Sequence, residues 1–267
     1  MKKEALYVLF SLVFLISCKE DDDRVISTDL PTEASQLFVV SKAWSEAIFF
    51  TQLSFDQYSS SDSLQLPGCP EILLEENAKR VTLTFDPDST CEQSGKSKRS
   101  GKIILDLAQS DSQNPIWFLE YENYTFEEAS MDGIRIFTKK SSGIVNETFE
   151  TLTHTTTNQL THQFSGNITH TLSLDSGLVV GLNSKGMING RNPVGRNFVF
   201  EFNEKRESLF SCFQDNKLLP VAGKETWKVS RSETSQVTHS LSYELKENCV
   251  VEAYVVLSDG RRLLLNQ

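Results

Sequence analysis

Residues 241–257 read LSYELKENCVVEAYVVL, and two period-two runs lie in that line. Leu241, Tyr243 and Leu245 alternate with Ser242 and Glu244; Val251, Ala253, Val255 and Leu257 follow with the same spacing. Side chains on a strand point to opposite faces in turn, so each run predicts a strand with one buried face. Asp259-Gly260 comes directly after, a pair that suits a hairpin turn. The alternation recurs at Val81, Leu83 and Phe85, at Ile103, Leu105 and Leu107, at Trp117, Leu119 and Tyr121, at Phe198, Phe200 and Phe202, and at Trp227 and Val229. Asp132-Gly133 and Asp175-Ser176-Gly177 read as turns between such runs. No βαβ alternation is visible. The expected class is mainly β: an antiparallel sheet, sandwich or open barrel with one N-terminal helix.

That helix is predicted to start at Thr32, a suitable N-cap followed by Glu33 in the first turn. It is expected to run to about Leu53, because Leu37, Val40, Trp44, Ala47 and Ile48 recur at three and four. Residues 54–63 break it. Phe38, Trp44, Phe49 and Phe50 read as core packed against the sheet, and Trp44, Trp117 and Trp227 are all expected to be buried.

The 267 residues carry 26 Lys and Arg against 36 Asp and Glu, a formal charge of -10. An acidic chain with no concentrated basic face is not built to hold phosphates, which excludes nucleic acid as a partner. Only one long apolar run is present, which excludes a multi-span membrane protein. No linker divides residues 64–267, so residues 32–267 form one expected domain. A faint likeness between residues 69–107 and 212–257, each with a strand running into a Cys and another strand following, suggests a divergent internal repeat.

The apolar run explains itself at the N-terminus. Lys2 and Lys3 precede a short apolar stretch, residues 5–16, that ends in Leu15-Ile16-Ser17-Cys18. The stretch is short for a span and reads as a secretory signal, residues 1–17. Leu-Ile-Ser-Cys resembles the bacterial lipobox, which implies acylation of Cys18 and cleavage before it. Several acyl chains then hold the protein to a membrane, each buried methylene contributing about 0.8 kcal/mol. Lys19-Glu20-Asp21-Asp22-Asp23 opens an acidic tether over residues 18–31. It resembles the export signal of surface lipoproteins of the Bacteroidota, which implies an outer-membrane protein displayed on the cell surface; a spacer facing the periplasm is the alternative.

With Cys18 lipidated, Cys69, Cys91, Cys212 and Cys249 remain, an even number for an oxidising compartment. Four Cys permit three connectivities. The sequence-local one, Cys69 with Cys91 and Cys212 with Cys249, closes modest loops at about 3 kcal/mol each. Zinc is the competitor, but no two of these Cys stand close enough for a knuckle.

Leu152-Thr153-His154, Leu160-Thr161-His162 and Ile168-Thr169-His170 repeat at a spacing of eight. Imidazoles brought together across a meander could ligate zinc or copper, so His154, His162 and His170 are weak metal candidates. Against that, a register that aligns His154 with His162 need not bring His170 close, and Ser165-Gly166-Asn167 reads as an interruption. The simpler expectation is a solvent-facing, Thr-rich hairpin with incidental His, and no cofactor. No nucleophile elbow, zincin, Ser-x-x-Lys or P-loop string occurs, so no catalytic residue is named. Asp86-Pro87-Asp88 reads as a turn rather than a calcium loop, and Asp62-Ser63-Leu64 and Asp88-Ser89-Thr90 resemble O-glycosylation acceptors of exported Bacteroidota proteins.

Cys69-Pro70, residues 77–85, Cys91, Gly95, Ser100-Gly101-Lys102-Ile103-Ile104, residues 209–223 and Asn248-Cys249 together resemble uncharacterised outer-membrane lipoproteins recurrent in the Bacteroidota. The resemblance implies class and location and supplies no catalytic residue. The expected function is a membrane-anchored, non-catalytic module that binds a glycan or an envelope protein. The alternative is a secreted hydrolase, glycan-directed or metal-dependent, which predicts a deep pocket with converging carboxylates or His.

Overall fold

The computed structural model describes residues 29–266 apart from 61–65, 92, 94–96 and 112. Thirteen strands form one antiparallel sheet in strict sequence order. They are β1 (Glu71–Glu75), β2 (Arg80–Phe85), β3 (Arg99–Gln109), β4 (Ile116–Phe126), β5 (Ala129–Ser141), β6 (Ile144–Thr155), β7 (Thr161–Asp175), β8 (Leu178–Arg191), β9 (Asn197–Leu209), β10 (Ala222–Ser230), β11 (Gln236–Leu245), β12 (Val251–Val256) and β13 (Arg262–Leu264). Among the described residues three helices accompany them: α1 (Leu30–Ser45), α2 (Phe55–Ser60) and α3 (Phe210–Gln214). The class is therefore mainly β, an open meander with an N-terminal helix. None of these helices is long and apolar enough to cross a membrane.

The sheet curls around the N-terminal helical segment. From a single helix, Ser41 reaches Glu225 on β10 while Trp44 reaches Glu147 on β6 and Lys42 reaches Glu127 beyond β4. Irregular registers in β3–β6 and β8–β10 bend the strands, as bulges do wherever a sheet must close on itself. The alternating apolar residues line the inside: Val81, Leu83, Ile103, Leu105, Leu119, Phe200, Trp227, Leu241 and Val255 are all fully buried. Trp44, Trp117 and Trp227 lie in this core, as do Phe38, Phe49 and Phe50.

The N-terminal helix differs from expectation at both ends. It begins at Leu30, with Pro31 in its first turn, so residues 30 and 31 belong to the helix and not to a tether. A proline there loses no helical hydrogen bond and brings its φ already set. Asp29 takes the N-cap position, and its carboxylate accepts from Thr32 Oγ1. The helix ends at Ser45, after which a 3-10 turn, Phe50–Gln52, and α2 complete the segment. Glu46 takes the C-cap position, its amide donating to the Lys42 carbonyl, and its buried side chain is held by Arg99 and Tyr124.

Two glycine segments read as turns lie inside strands. Gly133 sits within β5, where a register shift lets its φ reach +119° and its Cα pass over the Thr151 carbonyl. A Cβ there would stand 2.5 Å from that oxygen. Ser165-Gly166-Asn167 is part of an unbroken β7, and Gly166 makes room for the Phe149 ring, whose Cζ lies 2.3 Å from where a Cβ would be. Gly166→Ala is expected to force that ring out of the core and cost about 1–3 kcal/mol. Equal denaturation midpoints for the variant and the parent chain would show that the ring is not packed there. Asp175-Ser176-Gly177 and Asp259-Gly260 do make turns, joining β7 to β8 and β12 to β13.

Candidate functional site

The inner face of the sheet carries charge as well as hydrocarbon, placed at positions where alternation calls for apolar residues. Glu225 stands two residues before Trp227, Glu147 between Val145 and Phe149, and Arg135 two before Phe137. Each is buried at 0–1% exposure. A charge taken from water in this way must be paired and hydrogen-bonded to be tolerated.

Glu225 is the most heavily bonded. It accepts from Arg206 Nε at 2.8 Å, Ser41 Oγ at 2.8 Å, Trp227 Nε1 at 2.8 Å and Tyr243 Oη at 2.6 Å. Glu147 accepts from Arg135 Nε at 2.8 Å, Trp44 Nε1 at 3.0 Å and His170 Nε2 at 2.8 Å. Burial opposes ionisation of Glu147, but the Arg135 charge and the His170 hydrogen bond outweigh it and hold the carboxyl down at about 2. Glu46 accepts from Arg99 Nε at 3.1 Å and Tyr124 Oη at 2.9 Å. Near the start of α1, Glu33 takes both Arg231 Nη atoms and meets His239 Nε2 at 3.1 Å; these partners overcome its burial and bring it to about 2. The four glutamates and Ser41 and Trp44 thus clasp α1 and its end to strands β3 to β11.

One part of this network has the layout of a hydrolytic triad. Ser184 Oγ lies 2.9 Å from His170 Nδ1, and His170 Nε2 lies 2.8 Å from Glu147. All three side chains are buried at 0–1% exposure, and Glu147 is already held by Arg135 and Trp44. A nucleophile needs a reachable face beside its base and an oxyanion site within about 3 Å. Ser184, at 1% exposure, offers no such face, and the three side chains form a hydrogen-bond chain within the core.

The three candidate His separate. His154 and His162 are direct cross-strand partners of β6 and β7 with ring centroids 6.0 Å apart, while His170 belongs to the rung of Val145 and joins the Glu147 cluster. None faces solvent: their exposures are 1%, 2% and 0%. This overturns the exposed hairpin. The unbroken β7 keeps 162, 164, 168 and 170 on the inner face throughout, and the register shift is taken up by an extra residue of β6 between Phe149 and Leu152. Burial pushes the His154 and His162 imidazoles down to about 4, with the His154 charge adding to the effect on His162. Among the described residues no three His, Cys, Asp or Glu side chains group as a metal-ligand set.

The cysteines pair locally. Cys69 bonds to Cys91 across the β1–β2 hairpin, and Cys212 on α3 bonds to Cys249 across β10–β11, with Cα separations of 6.2 and 5.4 Å. Cys18, the preceding signal and residues 19–28 lie outside the described residues, as does Asp62-Ser63-Leu64. Asp86-Pro87-Asp88 makes a turn in which Asp86 Oδ1 accepts from the Asp88 amide at 3.0 Å.

Comparison with family models, with curated proteins and with solved structures finds no match for this chain. Its own surface therefore carries the functional argument. A trough of about 640 Å³ lies on the outer face of β6–β10, with Glu150, Gln163, Ser165, Asn189, Arg191 and Asn197 along it. Gln163, Asn189, Arg191 and Asn197 are exposed, so amide, guanidinium and carboxylate groups all face outward there. A second hollow, of about 450 Å³, crosses the outer face of β1–β5. It sets exposed Leu73 and Ile134 among Glu75, Arg80, Lys102, Glu120 and Glu122. Alternation points to these outward residues from sequence, but which strands stand side by side does not follow from a pattern of faces.

Proposed function

We propose that the chain is a lipid-anchored lipoprotein of the outer membrane, displayed at the cell surface, that works by binding and without catalysis. The polar trough over β6–β10 carries this reading. Its exposed Gln163, Asn189, Arg191 and Asn197 present several donors and acceptors on rigid strands, the chemistry that recognises a hydroxyl-rich polymer such as a glycan. The clusters built on Glu33, Glu46, Glu147 and Glu225, in contrast, are enclosed and hold the fold together. Two disulfides suit a protein matured outside the cytoplasm. The eleven residues 19–29 between Cys18 and α1 span at most ~35–40 Å when extended, enough to hold the sheet clear of lipid headgroups. The mixed apolar and charged hollow over β1–β5 favours an envelope protein as the second reading.

Intact source cells treated with a membrane-impermeant amine reagent are expected to yield this chain labelled at its exposed lysines while periplasmic controls stay clean. Cys18→Ala is expected to release it from the membrane fraction. Protection that ends only on permeabilising the outer membrane would place the protein on the periplasmic side and remove the surface reading. For the trough, Asn189→Ala with Arg191→Ala is expected to abolish retention on the cells' own purified surface polysaccharide. Retention by neither variant nor parent would remove the glycan reading and leave the protein-partner one.

A further inference from the structure

His154 and His162 are buried at 1% and 2% exposure, and neither ring nitrogen of either residue has a hydrogen-bond partner. Leaving a buried polar group unmet is costly, and here four such nitrogens lie on two rings whose centroids are 6.0 Å apart. The register supplies a neighbour. Across β4, β5, β6 and β7 the successive cross-strand partners are Tyr124, Met131, His154 and His162, all buried on the inner face. Tyr124 is occupied by Glu46, which leaves one thioether and two imidazoles on adjoining strands.

That donor set is soft and carries no charge. Imidazole serves zinc and copper alike, but structural zinc sites take four ligands that include thiolate, whereas a thioether selects monovalent copper. The spacing fits as well. Two metal–nitrogen bonds of about 2 Å, with roughly 1.2 Å from each nitrogen to its ring centre, bring the centroids to about 6.4 Å when linear and less when bent. The observed separation is 6.0 Å with the rings tilted at 56°. The turn between β6 and β7, residues 156–160, begins two residues beyond His154 and ends two before His162, so the pair sits at the rim of the sheet. We propose that His154, His162 and Met131 form a binding site for Cu(I) on the inner face of the curled sheet.

The test uses the full disulfide-bonded chain. Cu(I) is supplied anaerobically as its acetonitrile complex, and Ag(I) in chloride-free buffer serves as a redox-inert stand-in. One equivalent is expected to bind, to shift the ring nitrogen resonances of His154 and His162 while those of His170 and His239 stay in place, and to raise the melting temperature. X-ray absorption of the Cu(I) form is expected to show nitrogen neighbours at about 2.0 Å and one sulfur at about 2.3 Å. Met131→Leu conserves volume and is expected to melt close to the parent chain, yet to weaken Cu(I) at least tenfold and lose the sulfur neighbour. His162→Phe is expected to abolish binding; should it fail to fold, the Met131 variant and the resonance shifts still decide. The proposal is overturned by absence of stoichiometric binding, by shifts confined to other residues, by Zn(II) competing on equal terms, or by unchanged affinity in Met131→Leu.

Discussion

Glu225→Ala is expected to destabilise the fold by about 3–5 kcal/mol, the largest loss of any single substitution considered, because it strands a buried guanidinium. Arg206 lies against Glu225 with its side chain 2% exposed, and its Nη2 already lacks a partner. With the carboxylate gone, its Nε would be unmet too, along with Ser41 Oγ, Trp227 Nε1 and Tyr243 Oη. The substitution also cuts the tie between Ser41 of α1 and the β9–β11 cluster in one step, leaving the Glu33 contacts to Arg231 and His239. Glu225→Gln keeps the shape and part of the acceptor capacity and is expected to fall between the two. The control is an exposed pair: Lys224 and Glu204, both 60% exposed, lie 3.2 Å apart, and Lys224→Ala is expected to change little, since such pairs contribute under about 1 kcal/mol. Urea denaturation at neutral pH measures all three. A loss below about 1 kcal/mol for Glu225→Ala would mean that water or a rearranged core satisfies Arg206.

The second large effect is loss of stability in mild acid. His154 and His162 titrate near 6.5 in an unfolded chain and near 4 in the folded one, through burial and, for His162, the charge of its neighbour. Below pH 6.5 the unfolded state therefore takes up protons that the folded state refuses, and stability falls as pH drops from about 6.5 to 4. One pKa unit corresponds to 1.36 kcal/mol, so the pair accounts for about 3–6 kcal/mol over that window, the upper figure assuming that the rings act independently. Glu147 and Glu33 act in a separate window: held at about 2 against 4.5 when unfolded, they contribute stability that persists above pH 4.5 and is lost only as pH falls from there towards 2. Denaturation midpoints taken from pH 8 to pH 3 are expected to show the first decline in the parent chain. A chain with His154→Leu and His162→Leu is expected to lose it and keep the second. An unaltered profile between pH 6.5 and 4 in the double variant would assign the acid sensitivity elsewhere.

How far the sequence reaches is visible in particular residues. Val81, Ile103, Trp117, Phe198, Trp227, Leu241 and Val251 mark seven strands because each run buries one face and wets the other. β5, β6 and β8 carry no such plain rhythm: bulges shift parity within them, and Gly133 and Gly186 stand where a side chain would otherwise continue the pattern. Gly166 reads as a break for the same reason, although its missing side chain is what lets Phe149 pack. The local pairing of the cysteines follows from loop length, and hairpins that close early in sequence bring those same residues together. The clasp around α1 leaves a trace in sequence, since Glu147, Arg135 and Glu225 occupy apolar parity. Their partners do not, because Ser41 and Glu225 are 184 residues apart and only the curl of the sheet brings them together. His154 and His162 are legible as a repeat, whereas their inward direction depends on β7 running on through Gly166.

The order of the strands bears on how the chain acquires its shape. Every strand bonds to its neighbours in sequence, so each hairpin can zip as soon as its two halves exist, a local process of low entropic cost. The helix at the centre is different. It leads the chain, yet Glu33 waits for His239, 206 residues later, and Ser41 waits for Glu225. For a polypeptide that emerges N-terminus first, a helix that precedes every strand gains its β3–β6 contacts early and its β10 and β11 contacts only near the end. Until β10 and β11 arrive, Trp44, Phe49 and Phe50 have no closed interior to enter, and the polar groups of α1 lack part of their counterpart set. Completion of the contacts around α1 is therefore tied to delivery of nearly the whole chain, Glu225 and His239 among the last residues to arrive.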